Sequence, residues 1–286
     1  MLTGGTSLNK GGEPLQYTVM SSWMMAVASV PLLPVMVVVY GRHGDTISKL
    51  CRGAVAWTLR LLARGHVCAR TTHAFVLAHS THGQAESVLE TFDLYARTHA
   101  SASIGPLLGE ALDEVVDRVH PDRVLELGTH CGYTAVSVLR LLAPAARLLS
   151  VEQDPQVADL AEEIILVAGF KHAQFQVLTG ESGEVIPTLH SLLEPAPGSG
   201  GGGFQLVLMD HDPGLYLLDL LALEREGLLC SAGCSIVFIL RKMREKSVQE
   251  LKELTRERCQ TYCITSQMDA MMEISFSQPS THDSST

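Results

Sequence analysis

No C-x-x-C pair occurs in the 286-residue sequence, so the chain lacks the spacing that is typical of a cysteine-ligated metal site. Its seven cysteines are an odd number. Two pairs, Cys230 with Cys234 and Cys259 with Cys263, are four residues apart, and no histidine cluster accompanies them. This pattern favours buried free thiols, which are typical of proteins kept in a reducing compartment.

Positive charge is scarce in all but the first quarter of the sequence. Residues 1–72 carry seven Lys and Arg against two Asp and Glu, whereas the remainder carries fourteen against twenty-nine. The formal net charge of the whole chain is −10. Because nucleic-acid binding depends mainly on cationic side chains that neutralise phosphate, the acidic part of the chain is not suited to nucleic acid as a partner.

The glycine turn at 128–132 lacks the spacing of a dinucleotide fingerprint, G-x-G-x-x-G. The segment V-L-E-L-G-T-H-C-G-Y-T at 124–134 instead predicts a buried strand, a turn with two glycines four residues apart, and the start of a helix. Glu126, two residues before the first glycine, would repel a pyrophosphate but suits a cationic or amine-bearing ligand. The pattern therefore disfavours a nicotinamide-dependent dehydrogenase.

A carboxylate lies where a ribose-binding residue is expected. The apolar run 148–151 ends at Glu152, about twenty residues after the glycine turn, and an acidic residue at this distance accepts hydrogen bonds from a ribose. Together, the two features predict a ligand with an adenosine group, a positive charge and no phosphate. S-adenosylmethionine (SAM) has this chemistry. The alternative is a structural glycine turn in an α/β domain without a cofactor.

An uncharged stretch of eighteen residues at 23–40, with an aromatic residue at each end, predicts a single-pass membrane anchor. The alternative is a cleaved signal peptide, but its basic region is missing, since only Lys10 precedes the stretch. Six Lys and Arg follow within residues 42–70, so the positive-inside rule predicts that the globular domain is cytosolic.

The predicted domain organisation has five parts. A tail (1–22) precedes the anchor (23–40), and a basic linker helix (41–72) follows, which either lies on an anionic membrane surface or is an ordinary linker. Residues 73–278 form the globular domain, with a Gly-rich surface loop at 195–203, and residues 279–286 form a disordered tail.

Strands and helices alternate along residues 87–259, which predicts an α/β fold with a parallel sheet covered on both faces. Seven strands are expected, and the last two, at 262–267 and 271–277, are close enough to form an antiparallel hairpin at the edge. Among the helices, single continuous ones are expected at 183–193 and 215–229. The predicted architecture is a Rossmann-like domain with a mostly parallel, seven-stranded sheet.

Residues 73–235 resemble the catechol O-methyltransferase family, including its membrane-anchored branch. The matching segments are S-V-L-E-T-F-D-L-Y at 87–95, V-L-E-L-G-T-H-C-G-Y-T-A-V at 124–136, A-R-L-L-S-V-E at 146–152, G-E-S-G-E-V-I-P at 180–187 and L-M-D-H at 208–211. The resemblance implies a Rossmann-like SAM-dependent methyltransferase that moves a methyl group to a catechol or phenol hydroxyl.

The resemblance also implies a cofactor site. Its residues would be Ile104, Glu126, Gly128, His130, Thr134, Glu152, Gln153, Ser182 and Asp210. His130 stands where the family usually has tyrosine, and Thr134 replaces a serine but keeps the hydroxyl. Glu152 would bind the ribose, Gln153 and Ser182 would contact the adenine, and Asp210 with His211 would close the site.

The catalytic part departs from the family. There, Mg²⁺ is bound by the aspartate that matches Asp210 and by an Asp-Asn pair at the end of the next strand, which is Ile239-Leu240 here. Since Mg²⁺ requires oxygen ligands, the retention of Asp210 alone should weaken its binding badly. The family's catalytic lysine corresponds to Pro213. Two tryptophans that wall the family's catechol slot correspond to Ala100 and Asp212.

Two replacements for the missing metal ligands and the missing base are considered. In the first, Asp210 and Asp212 hold a metal together; the alternative is that Asp212 is a solvated loop carboxylate. His211 is either a metal-free general base or a structural histidine that covers the cofactor. Accordingly, two functions are open: an O-methyltransferase of a small catechol or phenol, and a SAM-binding pseudoenzyme that works as the partner of a membrane protein.

Overall fold

A computed structural model describes residues 68–193, 202–240 and 245–278. The predicted tail at 1–22, the anchor at 23–40, the linker up to residue 67, most of the Gly-rich loop and the tail at 279–286 lie outside the described residues. Within the described part of the chain, no helix is long and apolar enough to cross a bilayer.

The described residues form a domain of alternating helices and strands. Its helices are α1 Ala69–His79, α2 Ala85–Ala96, α3 Gly105–Val119, α4 Tyr133–Leu139, α5 Pro155–Val167, α6 Ser182–Val185, α7 Tyr216–Arg225 and α8 Glu245–Glu257. Its strands are β1 Arg123–Leu127, β2 Arg147–Glu152, β3 Phe175–Thr179, β4 Leu206–Met209, β5 Cys234–Ile239, β6 Tyr262–Met268 and β7 Met271–Phe276.

The strands form one sheet in the order β3-β2-β1-β4-β5-β7-β6. The first five run parallel, whereas β7 is antiparallel to both β5 and β6. Side chains alternate between the two faces of the sheet, so that Val124 packs into one apolar cluster and Leu125 into the other. The predicted seven-stranded, mostly parallel sheet with a C-terminal hairpin is confirmed.

Some helix boundaries differ from the prediction for local reasons. The segment 183–193 is not one helix but a single turn, α6, followed by a 3-10 helix, Ile186–Leu192, because Pro187 has no N–H to donate. Helix α7 ends at Arg225, shortly before Gly227 at φ 64°. Helix α1 crosses the predicted boundary between residues 72 and 73 and buries Thr72.

A buried carboxylate ties helix α3 to the C-terminal hairpin. Glu273 on β7 is 1% exposed and accepts from Arg118 Nη2 at 2.7 and 2.8 Å and from the Ser235 hydroxyl. An unpaired buried carboxylate is costly because it has lost its hydration. The Arg118–Glu273 pair therefore holds the C-terminal hairpin against α3.

Replacing Arg118 by methionine is expected to lower the free energy of unfolding by about 1–3 kcal/mol, since Glu273 then lacks its cation. The Arg225–Glu226 pair is a matched control: its atoms are 3.0 Å apart, but the Glu226 side chain is 28% exposed, whereas that of Glu273 is 1% exposed. Arg225→Met should therefore change the same free energy by less than about 0.5 kcal/mol. Urea-induced unfolding of the two variants measures the difference. Equal losses would show that Arg118 does not stabilise Glu273.

Candidate functional site

Three parallel strands end at the same level near the middle of the sheet. β1 lies between β2 and β4, where the winding of the chain changes direction, and ligands of α/β folds bind at this position. Leu127, the last residue of β1, pairs with the corresponding residues of both neighbours. The residues that follow these paired positions are Gly128, Glu152 and Asp210, so the register brings three predicted site residues together.

Gly128 lets the end of β1 approach the end of β4 closely. Its φ is 98°, and a Cβ atom placed on it would lie 2.7 Å from the backbone C and O of Asp210 and from the N of His211. The Asp210 N–H donates to the Leu127 carbonyl at 2.9 Å. A side chain at position 128 would therefore collide with backbone that is held in the sheet.

Glu152 joins the end of β2 to the glycine turn. Its Oε2 accepts from the His130 N–H at 2.9 Å and its Oε1 from the Asp154 N–H at 3.1 Å. His130 has a φ of 47°, which is uncommon for a residue with a side chain. The carboxylate is half-buried at the wall of the cavity described next.

A cavity of about 570 Å³ opens at this edge of the sheet. Its lining residues are Leu127, Gly128, His130, Val151, Glu152, Gln153, Gly180, Glu181, Ser182, Asp210, His211, Asp212, Pro213 and Leu215. Six of the nine predicted cofactor residues are among them, together with His211. The volume falls in the range of about 300–1,000 Å³ that is usual for small-molecule sites.

The other three predicted cofactor residues lie around this cavity. Thr134 lines a second, much smaller cavity of about 10 Å³, which shares His130 and Asp210 with the first. Glu126 lies fully buried beneath the turn. Ile104 precedes α3 and packs into the apolar core, and it lines neither of the two cavities described here.

Glu126 is the acceptor at one end of a buried chain of hydrogen bonds that was not predicted from the sequence. Its Oε2 accepts from the Ser150 hydroxyl, whose oxygen lies 2.5 Å from the Thr129 hydroxyl. Its Oε1 has no hydrogen-bond partner among the described residues. Burial, together with the nearby charges of Asp210 and Glu152, raises the pKa of Glu126 to about 8 despite the Ser150 hydrogen bond.

The end of β5 carries hydrocarbon side chains that are buried from solvent, and its backbone carbonyl and N–H groups are hydrogen-bonded. Phe238 pairs with Met209, so Ile239 lies level with Asp210, where the resemblance placed it. Ile239 and Leu240 are 3% and 8% exposed. The Tyr216 hydroxyl donates to the Ile239 carbonyl at 3.0 Å, and the Leu240 N–H donates to the Ala270 carbonyl at 2.8 Å.

These residues do not fit a magnesium ion of the family's kind, because one carboxylate stands where three oxygen ligands are needed. The alternative partner, Asp212, is exposed, and its Oδ1 accepts from the Gly214 N–H at 2.9 Å. In residues 68–193, 202–240 and 245–278, no group of three or more His, Cys, Asp and Glu side chains is arranged to hold a metal.

Asp219 is a further residue of the site that sequence reasoning missed. Its Oδ2 lies 2.7 Å from His211 Nε2, and both side chains are largely enclosed. The signal in the sequence is a single carboxylate within the otherwise apolar stretch L-Y-L-L-D-L-L-A-L at 215–223. A buried acid in such a helix requires a polar partner.

A family model described as O-methyltransferase matches residues 82–231, more than half of the chain. The chain belongs to the O-methyltransferase family. The human transmembrane O-methyltransferase is 32% identical to it over 242 residues, which cover 84% of this chain and 81% of the relative. Catechol O-methyltransferase B of Danio rerio is 38% identical over 157 residues, 54% of this chain and 56% of the relative. The resemblance to catechol O-methyltransferases and their membrane-anchored branch is thus confirmed.

Solved methyltransferase structures share the fold. An SAH-bound methyltransferase of Podospora anserina has a TM-score of 0.53 at 16% identity, with 73% of this chain and 95% of that chain covered. An O-methyltransferase of Bacillus cereus in complex with SAH has a TM-score of 0.51 at 16% identity and covers 77% of this chain and 96% of its own. At such identities the likeness shows the fold alone.

Proposed function

We propose that this chain is a SAM-dependent O-methyltransferase that transfers the SAM methyl group to a hydroxyl of a catechol or related phenol. The main observation behind the proposal is that Gly128, Glu152 and Asp210 lie at the same height at the ends of their strands and line one cavity. Family membership and the named activity of the catechol O-methyltransferase relatives support the reaction type. The acceptor would be a small aromatic molecule.

The chemistry of the cavity fits SAM. Glu152 supplies acceptors for the two ribose hydroxyls, and the apolar side chains of Val151 and Leu215 suit an adenine, with Gln153 and Ser182 at its edge. SAM supplies an electrophilic methyl group and two positive charges. The Asp210 carboxylate gives this edge of the sheet the negative charge that such a cation needs. Glu126, whose pKa of about 8 keeps it mostly protonated at pH 7, would add to that charge when the cation displaces its proton.

Catalysis would come mainly from positioning. An oxygen held in line with the methyl–sulfur bond at near-attack distance needs little further help, because the entropic cost of bringing both groups together is met on binding. No part of this proposal requires Mg²⁺, since Ile239 and Leu240 do not provide ligands for it.

The buried hydrocarbon side chains at the end of β5 favour a second function. A chain that retains a SAM cavity but has lost the family's metal ligands and catalytic lysine suits a pseudoenzyme, which would bind SAM and act as the partner of a membrane protein. Leu240 and Pro213 are the positions that favour this reading.

The proposal includes a membrane location. The uncharged stretch at 23–40 would anchor the chain, and the basic residues that follow it would keep the methyltransferase domain in the cytosol. Relatives named transmembrane O-methyltransferases support this location.

Loss of the Glu152 carboxylate is expected to weaken SAM binding by about 10–100-fold, because two charge-assisted hydrogen bonds to the ribose would be lost. The test is calorimetric titration of SAM into the full chain and its Glu152→Ala variant. Glu184→Ala is the matched control, since Glu184 is exposed and lies outside the cavity lining, and should leave the affinity unchanged.

Methyl transfer to a simple catechol, assayed with and without Mg²⁺, separates the two functions. Turnover that needs no added metal supports the enzyme. Tight SAM binding without turnover on any phenol supports the pseudoenzyme. Turnover that depends on Mg²⁺ would show that the metal ligands have been misplaced, and unaltered affinity in Glu152→Ala would contradict the cofactor site.

A further inference from the structure

Helix α7 presents leucines to solvent along one side. Leu215, which precedes its first turn, and Leu218 and Leu221 are 38%, 63% and 37% exposed. Their spacing of three residues places these side chains on the same side of the helix, where they form a leucine stripe. Within residues 215–225, all of which the structure describes, the only other exposed residue is Arg225. Since a surface helix normally presents polar side chains at such positions, the stripe indicates a partner surface.

The neighbouring helix shows the pattern of an ordinary solvated surface. Helices α7 and α8 pack beside each other, and Leu220 of α7 and Leu251 of α8 belong to the same apolar cluster. The exposed residues of α8 include Glu245, Gln249 and Glu253. Both helices therefore bury an apolar face against the sheet, but α7 has a second apolar face that points away from it.

The leucine stripe is too small for a stable interface between two copies of the chain. Such an interface buries about 800 Å² on each partner and involves roughly 20–30 residues a side. The stripe offers three partly exposed leucines, and the adjacent helix α8 adds polar side chains. A surface of this size binds weakly from solution, so it suits an occupant that is held nearby by other means.

A lipid bilayer would be held nearby by the chain itself. The uncharged stretch at 23–40 is the proposed anchor, and residues 41–67 separate it from the described domain. A fully extended segment of this length spans at most about 90–100 Å. Tethering within this distance gives the domain a high effective concentration at the bilayer surface, so weak contacts suffice to occupy the stripe.

The charge of the domain favours neutral lipids over anionic ones. Residues 73–286 carry fourteen Lys and Arg against twenty-nine Asp and Glu. Two of the acids, Glu245 and Glu253, are exposed on α8 beside the stripe. An anionic membrane surface would repel these carboxylates. Leucines that enter the interface of a zwitterionic bilayer gain from the burial of apolar surface and need no opposite charge.

We infer that the leucine stripe of α7 docks on the bilayer, with Leu218 at the boundary between the headgroups and the acyl chains of neutral lipids. The inference rests on the proposed membrane location. Leu215 belongs both to the stripe and to the lining of the cavity. A bilayer in contact with the stripe would therefore lie next to one wall of the cavity.

The test places a fluorescent amino acid in the stripe. Leu221 is replaced by dansylalanine in the full chain, which is reconstituted into phosphatidylcholine vesicles whose acyl chains are brominated near the headgroup. The matched control carries the same replacement at Leu166, which is 39% exposed on α5, against 37% for Leu221. Helix α5 packs on the opposite face of the sheet, since its Ile165 belongs to the other apolar cluster. A bilayer that contacts α7 therefore does not reach Leu166.

Quenching by the brominated lipid is expected to be at least about threefold stronger at position 221 than at position 166, because bromine quenches only at close range. Leu218→Glu should reduce the quenching at 221 to the level seen at 166, since a carboxylate does not enter the acyl-chain boundary. Leu218 is 63% exposed, so this change leaves the core intact. Replacing a third of the phosphatidylcholine by phosphatidylserine should weaken the quenching at 221.

Three results would overturn the inference. Equal quenching at positions 221 and 166, or unaltered quenching in Leu218→Glu, would show that the bilayer does not contact α7 selectively. A probe at 221 that lipid does not quench and iodide cannot reach would show that a protein surface covers the stripe. Quenching at 221 that requires phosphatidylserine would show that charge, not the leucines, holds the domain on the membrane.

Flotation of the vesicles separates these failures from that of the proposed location. A chain that floats with the vesicles while any of the three results is obtained is still anchored, so the membrane location stands and the docking of α7 is refuted. A chain that stays behind when the vesicles float has no anchor, and the proposed location and the inference are then refuted together.

Discussion

Gly128→Ala is expected to lower the free energy of unfolding by about 2–4 kcal/mol and to abolish SAM binding at micromolar concentrations. Two costs add at this position. A Cβ at φ 98° is strained, and it would lie 2.7 Å from the backbone of Asp210 and His211. Because these are backbone atoms at the end of a central strand, no side chain can rotate to make room.

Gly83→Ala separates the two costs. Gly83 has a φ of 82°, but a Cβ placed on it meets nothing within 4 Å. This variant should lose only about 1 kcal/mol, which is the cost of the conformation alone, and should bind SAM normally. Urea-induced unfolding and SAM titration of the full chain measure both effects. If the two variants unfold alike, the approach of β1 to β4 is looser than the structure indicates.

The fold was predictable because its signals are local. Each strand is a short apolar run. The loops from β1 to α4 and from β2 to α5 contain glycine, proline or acidic residues that are typical of a turn or of the start of a helix. Asp154, for example, caps α5 through its side chain, and Pro155 occupies the first turn. The hairpin β6–β7 followed from the short gap between two apolar runs.

The site was only partly predictable, because some of its contacts join residues that are distant in sequence. Glu152 was predicted as a ribose-binding residue from its distance to the glycine turn. The register of β1 with β2 then brings it close to Gly128. The hydrogen bond from Ser150 to Glu126 crosses between strands, and the Asp219–His211 contact depends on how α7 packs. No periodicity in the sequence specifies these pairs.

The positions of the family's metal ligands illustrate the same division. The sequence alone placed Ile239 and Leu240 at the end of β5, and the pairing of Phe238 with Met209 agrees with that placement. The sequence did not reveal which residues hydrogen-bond to the backbone at the end of this strand. The Tyr216 hydroxyl reaches the Ile239 carbonyl from α7, a contact between residues 23 positions apart.

Glu126→Gln is expected to make the chain more stable at pH 8 and above, although it removes a residue of the proposed cofactor site. Burial raises the pKa of Glu126 to about 8 from its usual 4.5. Below pH 4.5 the carboxyl is protonated in both the folded and the unfolded chain and has no effect. Between the two values the folded chain holds one more proton, so stability falls as pH rises and levels off above pH 8.

The neutral glutamine removes this penalty, so the variant should exceed the unaltered chain by about 2–4 kcal/mol at pH 8.5 and by little at pH 5. Urea-induced unfolding at both pH values measures the difference. Ser150→Ala is a useful comparison, because it removes the hydroxyl that donates to Glu126, raises the pKa of Glu126 further and should extend the fall in stability to a higher pH. A Glu126→Gln variant that is less stable than the unaltered chain at pH 8.5 would show that burial does not raise the pKa of Glu126.

The same substitution should weaken SAM binding by about tenfold or more, because the sulfonium and ammonium charges favour an ionised carboxylate over a neutral amide. At pH 7 the cation must first displace the proton of Glu126, so binding should release a proton. Calorimetric titration of SAM in two buffers of different ionisation enthalpy detects that proton in the unaltered chain, and it should vanish in Glu126→Gln. Proton release of equal size in both proteins would place the SAM charges away from Glu126, and the stability gained by the variant would then carry no functional loss.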